Sequence, residues 1–392
     1  MYGSEWMPGR ASTGEWPHGG AAAIIDGISA NDGGSVLMEE IAKVLLGGDV
    51  MLGRLVRERI RQFGPGYPLG AIAPTMQRAD LTVVNLECAI TAHEGLWPGV
   101  PKAFYFGAPP EAVHALVGAE VDLVSLANNH TLDFGVEGLE ETQRLLRHHG
   151  ILFAGAGATL AEARAPVLIE RKGILFGMVA YCDHQEDFAA SAAGPGIAYL
   201  DLSDEARALD QIRDDLDRMR NAGVDWPILS LHWGPNTVDR PSPQFVRLAH
   251  AAIESGCGIL FGHSAHVFHG IEMYQDSPII YSTGDLVDDY YVDPDSRNDY
   301  GLLIELEVSR YGLRRIDLHP VVIEKCRVVP AMSEQHEEIT RRMTTLCAEM
   351  GTTVRHEGDH VWIDARHEPS PVRDTPSGGE TLTGLTPGPA FH

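Results

Sequence analysis

Seven polar residues stand at the ends of apolar runs in this 392-residue chain: Asp49, Glu87, Asn129, His130, His232, His263 and His266. Carboxylates, an amide oxygen and imidazoles make a mixed oxygen and nitrogen donor set. Such a set suits Mn, Fe or Zn, whereas Ca and Mg favour all-oxygen shells. Two such ions roughly 3.5–4 Å apart activate a water and clamp a phosphoryl or acyl oxygen. A lone His or Asn at a strand end is ordinarily a turn or packing residue. Recurrence at successive strand ends is what points to a site. The centre of the set is Ser125-Leu-Ala-Asn-Asn-His-Thr-Leu-Asp-Phe-Gly135, where a strand pattern stops and a helical one opens. In open α/β sheets that rim is where ligands bind.

Periodicity indicates the elements that position these residues. Ile41 to Asp49, Leu81 to Glu87 and Val121 to Leu126 read as buried strands, and from Gly135 onward Leu139, Thr142, Leu145 and Leu146 share a helix face. This spacing suits repeated strand, crossover, strand units, and a parallel-type sheet would bring the polar ends to one edge. Pro166 to Glu170 and Ile174 to Tyr181 predict a hairpin turned at Lys172-Gly173. Asp204 to Ala222 and Ser242 to Ser255 predict amphipathic helices. Trp226 to His232, Gly258 to Gly262 and Pro278 to Ser282 predict three more strands. Tyr300 to Val308 with Leu313 to Leu318 predicts a closing hairpin, and Met332 to Met350 a last helix.

Bulk composition bounds the function. Hydrophobic content of 44% supports a real core. A formal net charge of −25 disfavours nucleic acid and anionic membranes as partners. Five scattered cysteines form no C-x-x-C pair, so neither a disulfide framework nor a thiolate zinc site is indicated. With no long apolar run and no basic region followed by an apolar stretch near the start, we expect no membrane segment, no secretory signal and a cytoplasmic location. Residues 1–40 read as a flexible arm, 41–366 as one domain, and 367–392, rich in Ser, Pro, Thr and Gly, as a disordered tail.

Several stretches taken together resemble one family. Gly48-Asp-Val-Met-Leu-Gly-Arg54, Val84-Asn-Leu-Glu87, Val124 to Gly135, Leu231-His-Trp-Gly234 and Gly262-His-Ser-Ala-His-Val267 followed by Gly270-Ile-Glu272 are similar to the CapA family of capsule and poly-γ-glutamate synthesis proteins. That family is related to calcineurin-like metallophosphoesterases. The resemblance implies an α/β fold, a four-layer α/β/β/α sandwich with a centre of two divalent metal ions at the strand ends. Matched motif by motif, Asp49 would ligate one metal, Glu87 would bridge, Asn129 and His232 would hold the second, and His266 would close the first. His130 would contact the substrate and protonate a leaving oxygen. The chain departs from the phosphoesterase pattern at Asp49-Val-Met51, where Asp-x-His is usual, a loss that CapA proteins share and that leaves the metal count open. It departs again at Gly262-His263-Ser264-Ala265-His266, where Gly-x-His-x-His is common, so either His263 or Ser264 takes the ligand place. Gly284-Asp285-Leu286 replaces Gly-Asn-Phe.

Asp285, Asp288 and Arg297 mark a polar loop near the same rim, read either as a solvated turn or as a substrate wall with Arg297 as an anion fork. Trp233 is core packing or pocket wall. The expected ligand is an anionic small molecule or polymer, and a homo-oligomer is an option beside a monomer. Three functions follow: a phosphoester hydrolase, an enzyme acting on γ-glutamyl or other amide bonds, and a scaffold that has lost the chemistry.

Overall fold

The structure, a computed structural model, describes residues 23–24 and 39–365. The arm and tail expected at the two ends fall largely outside the described residues. Seven strands matter to the site: β1 (Ile41–Val50), β2 (Leu81–Leu86), β3 (Leu123–Ser125), β4 (Ile174–Cys182), β5 (Trp226–His232), β6 (Ile259–His263) and β7 (Asp285–Val287).

Two sheets face each other. The first runs Ala23–Ile24, Val167–Arg171, β4, β5, β6, Ser277–Ile280, Ile271–Tyr274, and β4, β5 and β6 are mutually parallel. The second runs Val354–Glu357, His360–Asp364, Gly312–Glu324, Tyr300–Ser309, β1, β2, β3, Leu152–Ala154. Within it β1, β2 and β3 are parallel, and β7 adds to β1 in parallel. The hairpin at Lys172-Gly173 and the pairing of Tyr300–Ser309 with Gly312–Glu324 form as the sequence indicates. The final hairpin, Val354–Glu357 with His360–Asp364, was not anticipated.

Side-chain alternation assigns the layers. On β4, Phe176, Met178 and Ala180 enter a core shared with Val83, Val84 and Leu45 of the second sheet. Val179 and Tyr181 point the other way, into a second core with Ile212, Leu216 and Met219 of the helix Glu205–Asn221 and Leu248, Ala249 and Ala252 of the helix Pro243–Glu254. Asp204 and Ser242 cap these helices by accepting from Arg207 N–H and Phe245 N–H. The second sheet is covered by helices that bring Val56, Ile60, Leu139, Leu146, Ile339 and Met343 into its core. The result is a four-layer α/β/β/α sandwich, the fold class expected.

Two local devices aim the strand ends. First, parallel pairing puts Cys182, His232 and His263 abreast across β4, β5 and β6. Second, the register between β1 and β2 shifts between Leu46 and Asp49, a bulge across Gly47-Gly48. That kink lets Asp49 N–H donate to the Gly284 carbonyl at 3.1 Å and sets Asp49 opposite Asp285. A Cβ at Gly48 would lie 1.9 Å from the Gly284 oxygen, and Gly284 itself has φ +72. We therefore expect Gly48→Ala to cost about 1–3 kcal/mol, read as a lower urea midpoint; an unchanged midpoint would show that this close approach is not a constraint.

Candidate metal centre

The floor is built from the ends of β1, β2, β5, β6 and β7 and the loops after β3 and β6. Asp49, Glu87, Asp285, His232 and His263 are all 0–1% exposed. Their ligand-type atoms fall into two overlapping groups, each within 4.8 Å of one another and each able to hold a metal ion: Asp49 with His232 and His263, and Asp49 with Glu87, His266 and Asp285. His266 Nδ1 lies 2.8 Å from Asp285 Oδ1 and 3.8 Å from Asp49 Oδ2. Glu87 Oε1 lies 3.8 Å from His232 Nε2 and 3.9 Å from His130 Nε2.

Amides lock Asp49 and the turn after β3. Asn128 Nδ2 donates to Asn85 Oδ1 (3.1 Å) and to the Leu86 carbonyl (2.8 Å), and Asn85 Nδ2 donates to Asp49 Oδ1 (2.7 Å). Asn128 Oδ1 accepts from His130 N–H and the Thr131 hydroxyl, both at 3.0 Å, which fixes the turn that carries Asn129 and His130. Ser264 N–H donates to Asp49 Oδ2 (3.2 Å), while the Ser264 hydroxyl lies 3.4 Å from the Gly234 carbonyl. His263, by contrast, places Nδ1 2.9 Å from His232 Nδ1 and 3.7 Å from Asp49. Of the two alternatives, it is His263 that joins the cluster.

Several buried oxygens here have no hydrogen-bond partner: both Glu87 carboxylate oxygens, Asn129 Oδ1, Asp285 Oδ2 and Asp288 Oδ2. Burial, reinforced by Asp285, raises Asp49 to about 7, and burial with Asp49 raises Glu87 well above its usual range. Burial alone lowers His263 to about 3, and burial with the neighbouring imidazoles lowers His232, so both are neutral and free to ligate. Burial opposes charge on His266 too, yet Asp285, Glu87 and Asp49 hold its imidazole well above the usual range.

At one edge of the floor, His130 Nδ1 lies 2.5 Å from Asp133 Oδ2, and Asp133 Oδ1 accepts from Lys102 Nζ at 2.5 Å. Lys102 also donates to the Asn129 carbonyl. Asp133 accepts from Phe106 N–H (2.7 Å), and the Phe106 ring stacks on His130 at 3.7 Å. Burial outweighs Asp133 and lowers His130 to about 4. Lys102, Asn85 and Asp133 were not singled out from sequence. Asp133 had a signal, standing three residues beyond His130, and Asn85 sits inside Val84 to Glu87; Lys102 lies in an irregular loop with no periodicity.

Three substrate-wall expectations change. Asp285 belongs to the floor, because β7 pairs with β1. Asp288 stands behind it, raised well above its usual range first by burial and then by Asp285. Arg297 does not face the floor as an anion fork: Nε and Nη2 each bond Asp299 at 2.8 Å, and the guanidinium lies 3.6 Å over Tyr300. Trp233 is packing, tilted against Phe245, stacked with Tyr281 and donating to the Tyr281 carbonyl.

Lys102 and Asp133 are both nearly buried, so breaking the pair strands a charge. Asp133→Ala is expected to cost about 3–5 kcal/mol, with Lys102→Met in the same chain recovering part of it. Urea denaturation of the unsubstituted chain and the two variants checks this, and a loss below about 1 kcal/mol for Asp133→Ala would contradict it.

Among the described residues no helix is long and apolar enough to cross a membrane. The model of the bacterial capsule synthesis protein PGA_cap family matches residues 43–290. A probable polyglutamine synthesis accessory protein of Mycobacterium tuberculosis is 32% identical, with 70% of this chain and 87% of the relative covered. The capsule biosynthesis protein CapA of Bacillus anthracis is 24% identical, covering 82% of this chain and 77% of the relative. The PGA biosynthesis protein CapA of Bacillus subtilis is also 24% identical, covering 76% of each. With its strand-end donors set out in the order of those motifs, the chain belongs to the CapA (PGA_cap) family of bacterial capsule synthesis proteins, within the metallophosphoesterase superfamily.

Proposed function

We propose that the chain is a metal-dependent hydrolase that acts on a phosphoester. The observation that carries this reading is the set of dry, unpartnered oxygens on Glu87, Asn129 and Asp285. Leaving a buried polar group unpaired costs about 1–3 kcal/mol, more for a charged one. Four such atoms, gathered beside the neutral imidazoles of His232 and His263, fit a site built for cations. Asp49, Glu87, Asp285 and His266 would hold one ion; His232, His263 and Asn129, with a carboxylate shared from the first group, would hold a second. Mixed donors favour Mn, Fe or Zn. When bound, such ions supply Lewis-acid charge and lower the pKa of a water.

The chain's own residues supply the proton handling. Asp133 fixes the His130 proton at Nδ1, so Nε2, which faces Glu87, is the atom that meets the substrate. The imidazole is neutral at rest, and the proton it hands to the leaving oxygen has to arrive with the substrate or with the attacking water. Lys102 holds Asp133 and the Asn129 carbonyl in place and sets a positive charge beside the His130 ring, favouring an anionic substrate.

The relatives' names favour two other readings. Polyglutamine and PGA synthesis suggest an amide bond in a glutamyl polymer, attacked in the same site. The word accessory in the mycobacterial relative's name suggests a subunit without catalysis. Purified protein supplied with Mn and assayed on generic phosphoesters and on poly-γ-glutamate separates the three. We expect phosphoester turnover that falls about 10²–10⁴-fold in His130→Ala and comparably in Asn129→Ala. Turnover unaltered in both variants would overturn the assignment, and cleavage of the polymer alone would replace it with the amide reading.

A further inference from the structure

The mouth of the site differs in character from its floor. Among the described residues twelve large apolar side chains are exposed. Six of them, Leu55, Leu96, Val100, Phe104, Tyr291 and Val292, lie on the three segments that also bring Arg54, Lys102 and Tyr290 to the site. Exposed apolar groups gathered at one place on a protein mark a binding surface. Ring contacts on these segments lead from Phe104 to the floor. Arg54 lies 4.9 Å over the Phe104 ring and 5.8 Å over Phe106, and Phe106 stacks on His130. Phe106 also meets Tyr290 at 5.9 Å, and Tyr290 meets His266 at 5.1 Å. A row of rings and one guanidinium thus runs from Phe104, 57% exposed, to the half-buried His266 imidazole. The wall is held in shape: Trp97 Nε1 donates to Asp187 at 2.7 Å, Trp97 N–H to the Asp133 carbonyl at 3.0 Å, and Leu55 N–H to Asp289 at 2.9 Å.

We propose that the substrate's alcohol part is large and apolar, aryl or long alkyl, and lies along the Phe104–Phe106–Tyr290 wall while its phosphate reaches the floor. This rests on the phosphoester reading. Arg54 and Lys102, each paired with a carboxylate (Asp289 at 3.3 Å and Asp133 at 2.5 Å), bring the cationic groups to this edge in a chain of net charge −25.

The test pairs binding with turnover on the purified full chain. Calorimetry compares octylphosphonate with methylphosphonate, and kinetics compare 1-naphthyl phosphate with glycerol 2-phosphate. We expect octylphosphonate to bind at least about tenfold tighter, as partial burial of a chain of this size would give. In Phe104→Ser/Tyr291→Ser that preference should shrink to about twofold, since both side chains are exposed and neither supports the core. Tyr311→Ser, on the hairpin turn at the far end of the second sheet, is expected to leave the preference as it is. Equal binding of the two phosphonates, or a preference untouched by the double substitution, overturns the inference. Octylphosphonate preference with neither ester hydrolysed supports the apolar wall and sinks the hydrolase reading. Both esters hydrolysed with equal kcat/KM leaves hydrolysis standing and overturns the wall.

Discussion

Three carboxylates, Asp49, Glu87 and Asp285, are packed out of water within a few ångströms of each other, with one imidazole, His266, held charged among them. Like charges in a dry pocket raise one another's pKa and oppose folding. The fold holds them together because each is carried by backbone that has no freedom to move it. Asp49 and Asp285 sit opposite each other in paired strands, and Asn85 and Asn128 tie Asp49 to the strand beside it. Backbone strain collects at the same place. Ser264 has φ +99 and His266 has φ +57, both in the left-handed region that L side chains seldom adopt. A cation between these groups would reverse the sign of the whole interaction, which is why the centre, as much as the core, decides what the molecule is for.

Most of this framework was legible in the sequence, for physical reasons. Buried parallel strands read as unbroken apolar runs, so the ends of β1, β2, β5 and β6 stood out as the places where those runs met Asp49, Glu87, His232 and His263. Helices bounded by Asp204 and Ser242 announced themselves through their caps and one-sided apolar faces. The residues that were misplaced depend on contacts far apart in the chain. Asp285 enters the floor only because β7 docks on β1, with Gly284 and Gly48 touching backbone to backbone, and no local pattern reports that. Arg297 looked like an anion fork until Asp299, two residues on, was seen to fill it. Lys102 comes from an irregular loop, and the last hairpin is too polar along Val354–Glu357 to read as a strand.

The family relationship bears most on Met51. Where the wider phosphoesterase pattern has a histidine, this chain has a fully buried thioether that accepts from Gly53 N–H at 3.1 Å. On the reading proposed, Asp285 makes up the lost donor from the opposite strand. It brings an oxygen ligand and a negative charge where an imidazole would have been neutral, giving a harder site more suited to Mn or Fe than to a purely nitrogen-rich shell. Burial does most to push Asp49 up, and Asp285, its acidic neighbour in the paired strand, pushes it further.

The claim on which all of this turns is that the strand ends hold metal. Elemental analysis of protein purified without chelator, beside an Asp49→Ala/His232→Ala variant carried through the same steps, addresses it directly. The account predicts about two ions of Mn, Fe or Zn per chain, lost in the double variant. No bound metal in the unsubstituted chain, even after reconstitution with Mn, would contradict it and leave the buried carboxylates without an explanation.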